Sequence, residues 1–281
     1  MTKTVLLALD TSTEFCSVAL LSTESADDTS SAEEADASAP EPRVWVRHES
    51  TGAVSSTRLL PAIRELFDEA GLALADCNAI AFGAGPGSFT GLRTATGVAQ
   101  GLAFGLNCPV VPVGTLLACA ESARRRDPSA TRVLAALDAR MDEVYWADYA
   151  WDDDTREWRT VHSAALGSPD ALDLPDQPFA LAGNAAAAFG DRLKAASVAR
   201  TVDHEAVPHA LPIAFAALRA FRAGRALPAD QAAPEYIRDK VAQTTEERMA
   251  ARAAQHAQTA ASASSSSSTQ TAHSAEGEGT R

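Results

Sequence analysis

The sequence predicts an α/β protein built from two related halves, and two observations carry that prediction. The first is a strand–glycine loop–helix–strand unit. AIAF at 79–82 leads into Gly83, Gly85, Pro86 and Gly87, then into Leu92, Ala95, Val98, Ala99, Leu102, Ala103 and Leu106 at helical spacing. Glycines crowded in this way mark tight turns or close backbone approach. A glycine loop opening a helix also has the geometry of an anion site. The string is neither a P-loop, lacking Gly-Lys-Ser/Thr, nor GxGxxG, because Pro86 and Gly87 break the spacing. The second observation is an internal repeat. LALD at 7–10 and AALD at 135–138 stand 128 residues apart, each at a strand end before a hairpin turn.

In chain order, TVLLALD at 4–10 is a strand ending in Asp10, and hydroxyl residues at 11–14 suit a turn. Strands follow at 15–22 and 44–49. The stretch between them, 23–43, is rich in Ser, Ala, Asp, Glu and Pro, and reads as a disordered acidic loop within a hairpin. Ser56 or Thr57 is expected to cap a helix reaching Ala70, with Leu59, Leu60, Ile63, Leu66 and Phe67 on one broad apolar face. Pro61 belongs in its first turn or kinks it, and Gly71 ends it. Ser88 or Thr90 caps the next helix, which Asn107 and Pro109 stop. A strand at 110–113, a helix at 116–126 and paired strands at 132–137 and 144–149 follow, with an acidic turn at 152–154. A short strand at 179–183 precedes a helix opened by Asn184, and a helix at 212–223 ends at Gly224. Beyond Glu246 the Ala-Gln-Ser-rich sequence reads as a disordered tail. The expected domains are therefore 1–109, 110–245 and the tail 246–281, with the helix at 212–223 free to pack back on the first half.

Net charge is −13 over 281 residues, and seven acids with no base fall between Glu24 and Glu41 inclusive. Holding a nucleic acid alone needs a Lys/Arg surface to neutralise phosphates, so autonomous binding is not expected. Cys16, Cys77, Cys108 and Cys119 are widely spaced, with no CxxC or Cys/His zinc pattern. No run approaches membrane-spanning length and no signal-type apolar segment opens the chain, so a cytoplasmic location is expected.

GAGPGSFTGLR at 83–93 resembles the signature of the TsaB family, the dimerisation subunits of the bacterial tRNA threonylcarbamoyladenosine machinery. Five further stretches resemble family landmarks in the same order: LALDTST at 7–13, LLPAIRELFDEAGL at 59–72, DARMDEVYWADY at 138–149, AGN at 182–184 and YIRDKVA at 236–242. The resemblance implies a duplicated actin-like ATPase fold, shared with the sugar kinases. It implies a non-catalytic scaffold that binds TsaD as a heterodimer, with the TsaE ATPase in a larger complex, and that also forms a homodimer. Such a scaffold contacts tRNA only through the complex. It is required for threonylcarbamoyl transfer to the adenosine 3′ of the anticodon in tRNAs reading ANN codons. The implied partner surface is the helix pair 57–70 and 90–106, with Leu59, Leu60, Ile63, Leu66, Phe67, Arg93, Ala95, Ala99 and Leu102. Asp10, Thr11, Ser12, Gly85, Gly87 and Asp138 would form a vestigial phosphate-binding set. No cofactor is implied.

In the catalytic relative, TsaD, the helix after the second strand carries two histidines four residues apart, on one face and able to hold a metal. The matching positions here are Thr115 and Cys119, and none of the six histidines forms an i,i+4 pair. A metal-holding pair is therefore not expected, which removes the basis for a metalloprotease. The competing reading is an active phosphotransferase or ATPase of the actin-like superfamily. It would need a catalytic carboxylate and an adenosine pocket, neither of which the residues identify.

Overall fold

The computed structural model describes residues 2–25 and 41–238. Their first sheet is formed by β1 (Thr2–Asp10), β2 (Phe15–Ser25), β3 (Arg43–Ser50), β4 (Ala79–Gly85) and β5 (Val110–Gly114), in the order β3-β2-β1-β4-β5. The second is formed by β6 (Arg132–Asp138), β7 (Val144–Asp152), β8 (Glu157–Gly167), β9 (Ala180–Ala182) and β10 (Thr201–Asp203), in the order β10-β9-β6-β7-β8. In both sheets the first three strands run antiparallel, the fourth pairs with the first in parallel and the fifth with the fourth in parallel. The repeat of LALD and AALD is thus a repeat of whole sheets, with β1 and β6 equivalent. This is the duplicated actin-like fold.

β1 lies at the centre and is covered on both faces, so its apolar run is continuous rather than alternating. Val5, Leu7 and Leu9 face one layer, where α1 (Ser55–Ala70) and α2 (Phe89–Leu106) pack. Leu6 and Ala8 face the other, under Ile213, Ala214 and Ala217 of α6 (Ala210–Arg222). β6 repeats the pattern. Val133, Ala135 and Leu137 pack on Leu116, Cys119, Ala120 and Ala123 of α3 (Thr115–Arg126), while Leu134 and Ala136 face the layer of two short helices, α4 (Ala185–Phe189) and α5 (Lys194–Val198).

The boundary expected at 109/110 does not separate the sheets. β5 completes the first sheet, and α6, from the end of the second half, covers that same sheet. α3, which follows β5, covers the second sheet. Each half thereby lends its closing helix to the other, and residues through Ile237 form one compact unit.

Several local expectations change. Thr23 is buried in β2, which runs on to Ser25 because β1 pairs it there, and Arg43 opens β3. The acidic segment is therefore shorter than 23–43, and its remainder at 26–40 lies outside the described residues, as does the tail from 246. Neither Ser56 nor Thr57 caps α1. A 3-10 turn at Gly52–Val54 feeds into it, and Thr57 Oγ1 instead donates back to the Val54 carbonyl. Pro61 sits inside α1, past its first turn. Asn184 precedes α4 without capping it, because its Oδ1 accepts from the Asp138 N–H at 2.9 Å. Ser88 does cap α2, accepting from the Gly91 N–H, and Asn107 ends it in the left-handed region with φ 52°.

Candidate functional site

A cleft of about 560 Å³ opens between the turn regions of the two sheets. From the first sheet come Ser12 and the loop residues Gly87, Ser88 and Thr90; from the second come Asp138, Arg140, Tyr145 and Asn184. This is where a strand–loop–helix unit would hold phosphate. The backbone groups are nonetheless committed to the chain itself. The Ser88 N–H donates to the Ser12 carbonyl at 2.8 Å, and Thr11 Oγ1 donates to the Gly91 carbonyl at 2.6 Å. A Cβ on Gly91 would collide with the Thr11 carbonyl, and one on Gly87 would stand 2.7 Å from Ser12 Cβ. Gly87 and Gly91 thus let the start of α2 press against the β1–β2 turn.

Of the six expected phosphate-site residues, Ser12, Gly87 and Asp138 line the cleft, and Asp10, Thr11 and Gly85 do not. Thr11 is buried behind its bond to Gly91. Gly85, at φ 130°, is covered by the backbone of Glu235, whose N–H donates to the Ala84 carbonyl at 2.7 Å. Asp10 is 1% exposed beside Gly83; Oδ2 accepts from Ser12 Oγ at 3.0 Å and Oδ1 has no hydrogen-bond partner among the described residues. Burial pushes its carboxyl up to about 7, against the weaker opposing bond from Ser12. A carboxyl that is sealed and half-protonated near neutrality is a poor phosphate-metal bridge. Asp138 reaches the cleft, but its carboxylate accepts from the Arg140 N–H at 2.8 Å and from the Arg140 guanidinium at 3.1 Å.

Thr115 and Cys119 are both fully buried. Thr115 Oγ1 donates to the Pro86 carbonyl at 2.5 Å, and desolvation pushes the Cys119 thiol well above its ordinary range. No three His, Cys, Asp or Glu side chains converge as a metal set among the described residues.

The helix faces answer differently from the sequence expectation. Leu59, Ile63, Leu66 and Phe67 of α1, and Ala95 and Ala99 of α2, are buried in the chain's own core, and Leu102 packs half-buried against it. The apolar stripe at i, i+4, i+7 is the stripe that covers the sheet, so those side chains offer nothing to a partner. Outward on α1 stands Leu60, 54% exposed; outward on α2 stand Arg93 and Phe104, the latter 60% exposed. Arg93 lies over the Phe89 ring and its Nε donates to Tyr236 Oη at 3.0 Å. Gly97, Gly101 and Gly105 are also outward, and a Cβ on any of them would meet nothing within 4 Å. Their four-residue spacing, one face removed from Ala95, Ala99 and Ala103, is the readable signal for this surface.

The family model for TsaD, tRNA N6-adenosine threonylcarbamoyltransferase, matches residues 49–257. The chain is 35% identical over 241 residues to the tRNA threonylcarbamoyladenosine biosynthesis protein TsaB of Escherichia coli K12, spanning 84% of this chain and 96% of that protein. It is 39% identical over 178 residues to the protein of the same name from Haemophilus influenzae, spanning 60% of this chain and 66% of that one. Among solved structures, YeaZ from Pseudomonas aeruginosa superposes with a TM-score of 0.69 at 39% identity, covering 83% of this chain and 99% of its own. No described helix is long and apolar enough to cross a membrane.

Proposed function

The chain belongs to the TsaB family of tRNA threonylcarbamoyladenosine biosynthesis proteins, and from that premise we propose that it is a non-catalytic scaffold. In this reading it binds TsaD through the outward faces of α1 and α2, and the same faces allow a homodimer. TsaE joins the larger complex, and tRNA is engaged only there, in the cytoplasm. The assembly transfers threonylcarbamoyl to the adenosine 3′ of the anticodon in tRNAs reading ANN codons, with the chemistry on TsaD.

The observation that supports the docking surface is the outward glycine row on α2. Glycine inside a helix costs about 0.5–1 kcal/mol relative to alanine, and three together are a standing cost. Nothing among the described residues uses the missing Cβ atoms at Gly97, Gly101 and Gly105. A second helix could use them, because interaxial distance is set by the side chains at the contact. Leu60 and Phe104 supply apolar area to such a contact.

The test separates stability from association. Gly101→Ala should raise the melting temperature slightly while weakening both self-association and TsaD binding in analytical ultracentrifugation. Wild-type binding by a stabilised Gly101→Leu variant would sink the docking surface.

A further inference from the structure

A second hollow, of about 320 Å³, lies away from the α1–α2 face, where the ends of α3 and α6 meet the β7–β8 turn. Arg124, Arg125, Arg156 and Arg219 line it together with Glu121 and Asp153, and Glu41 also acts on Arg125, in a chain of net charge −13. Helix C-termini favour cations, which explains arginines at either helix end. It does not explain their convergence on one concavity.

The pairing inside the hollow is uneven. Buried Glu121 is already saturated, accepting from both Arg219 nitrogens and from Trp158 Nε1 at 2.8 Å. Arg124 reaches exposed Asp153 only at 3.4 Å and otherwise donates to the Pro128 carbonyl. Arg125 has no carboxylate within hydrogen-bond distance among the described residues, whereas Arg47, Arg58, Arg126, Arg132, Arg192 and Arg225 all do. Its guanidinium rests over the Phe215 ring at 3.5 Å, and burial holds it below its ordinary pKa. Arg124 at 4.2 Å and Arg219 at 5.2 Å lie over the Trp151 ring, whose Nε1 donates to Asp153 at 2.9 Å, so the indole helps to place both the cations and the carboxylate.

We propose that this hollow binds a backbone phosphate of an RNA, with Arg125 and Arg124 as the donors and Asp153 displaced from Arg124. Planar guanidiniums held in place suit the tetrahedral oxygens of a phosphodiester. One or two such contacts are too few to hold RNA on an acidic chain. They are enough to add to a complex whose other subunits bind it, so the inference rests on the scaffold reading.

The experiment titrates a fluorescein-labelled tRNA transcript into the complex of this chain with TsaD, by anisotropy between 50 and 200 mM KCl. Arg125→Ala and Arg124→Ala should each weaken binding several-fold and lower the salt slope by about one. Arg125→Lys should restore most of the slope, and Lys194→Ala, exposed on α5 away from both the hollow and the α1–α2 face, should change neither. Arg219→Ala is avoided because it would strand Glu121. Unchanged affinity and slope in both alanine variants overturns the proposal. So does a titration in which inorganic phosphate protects Arg125 from arginine-directed modification while RNA does not, since that is a small-anion site. The protection assay is run on the assembled complex, and ultracentrifugation of the same samples reads assembly separately: failure to bind TsaD would overturn the scaffold reading, whereas lost RNA affinity in an intact complex reports on the hollow.

Discussion

The Asp10 carboxylate lies directly over Gly83 across the β1–β4 pair, so closely that a Cβ at Gly83 would overlap Oδ1 and stand 3.3 Å from Ile213 Cδ1. Gly83 is therefore a space-making residue for a buried acid, rather than part of a ligand loop.

Gly83→Ala should destabilise the chain by about 1–3 kcal/mol through overpacking. The loss should shrink in an Asp10→Ala background, with a coupling of about 1 kcal/mol or more by chemical denaturation. Additive effects would mean that the two side chains do not meet.

Asp10 and His209 should impose opposite pH dependences on stability. The folded chain keeps a proton on Asp10 from about pH 4 to about 7 while the unfolded chain has lost it, so stability falls as pH rises through that window. His209 is held down to about 4, first by burial and then by the charges of His48 and Arg126, and its Nδ1 has no hydrogen-bond partner among the described residues. Between pH 6.5 and 4 the unfolded chain takes up a proton that the folded chain refuses, so this contribution is lost as pH falls. Each is worth several kcal/mol at most, because a tenfold difference in proton affinity between folded and unfolded chain is about 1.4 kcal/mol. Asp10→Asn should gain on the parent protein at pH 8 and lose that gain by pH 4. His209→Phe should flatten the acid limb instead. Parallel stability curves for either variant and its parent would refute the burial argument.

Leu60→Asp and Ile63→Asp should part company. Leu60 is exposed, so its variant should fold with wild-type circular dichroism, while a charge buried without a partner at a TsaD contact would cost binding roughly a hundredfold or more. Ile63→Asp and Ala99→Glu place that charge in the core and should lose the fold itself. Unimpaired TsaD binding by Leu60→Asp would move the contact off α1.

Asp138→Ala should leave tRNA modification by the assembled complex intact, measured by nucleoside mass spectrometry. Its carboxylate is taken up by Arg140 at the cleft wall, and the scaffold proposal puts the chemistry on TsaD. Loss of modification with assembly preserved would place chemistry in this chain and favour the phosphotransferase reading.

The two-sheet plan was legible because β1 and β6 carry unbroken apolar runs ending in Asp, and both ends survive in the structure. β8 and β10 were not. β8 reads EWRTVHSAALG, a half-exposed edge strand held by its pairing with β7 rather than by an apolar face, and β10 is three residues long. The α1 and α2 stripes were visible as stripes, but amphipathicity cannot say which neighbour a stripe covers. Leu59 and Leu60 are adjacent in sequence, and only the fold separates core from surface. The phosphate set is divided for a similar reason, with Ser12, Gly87 and Asp138 at the cleft and Asp10, Thr11 and Gly85 behind it. Asp10 stands at a strand end, as expected, but the depth of that end depends on Gly83 and α6.

The exchange of closing helices between the sheets fixes an order of events during synthesis. β5 leaves the ribosome about 100 residues before the end of α6, which at roughly 5–20 residues per second is a wait of several seconds or more. Throughout that wait Leu6, Ala8, Leu21, Val111 and Val113 lack α6 and have only Leu117 and Ala118 of α3 beside them. The nascent first sheet therefore presents a sticky apolar face, and a cell short of chaperone capacity should lose this protein while it is still being translated.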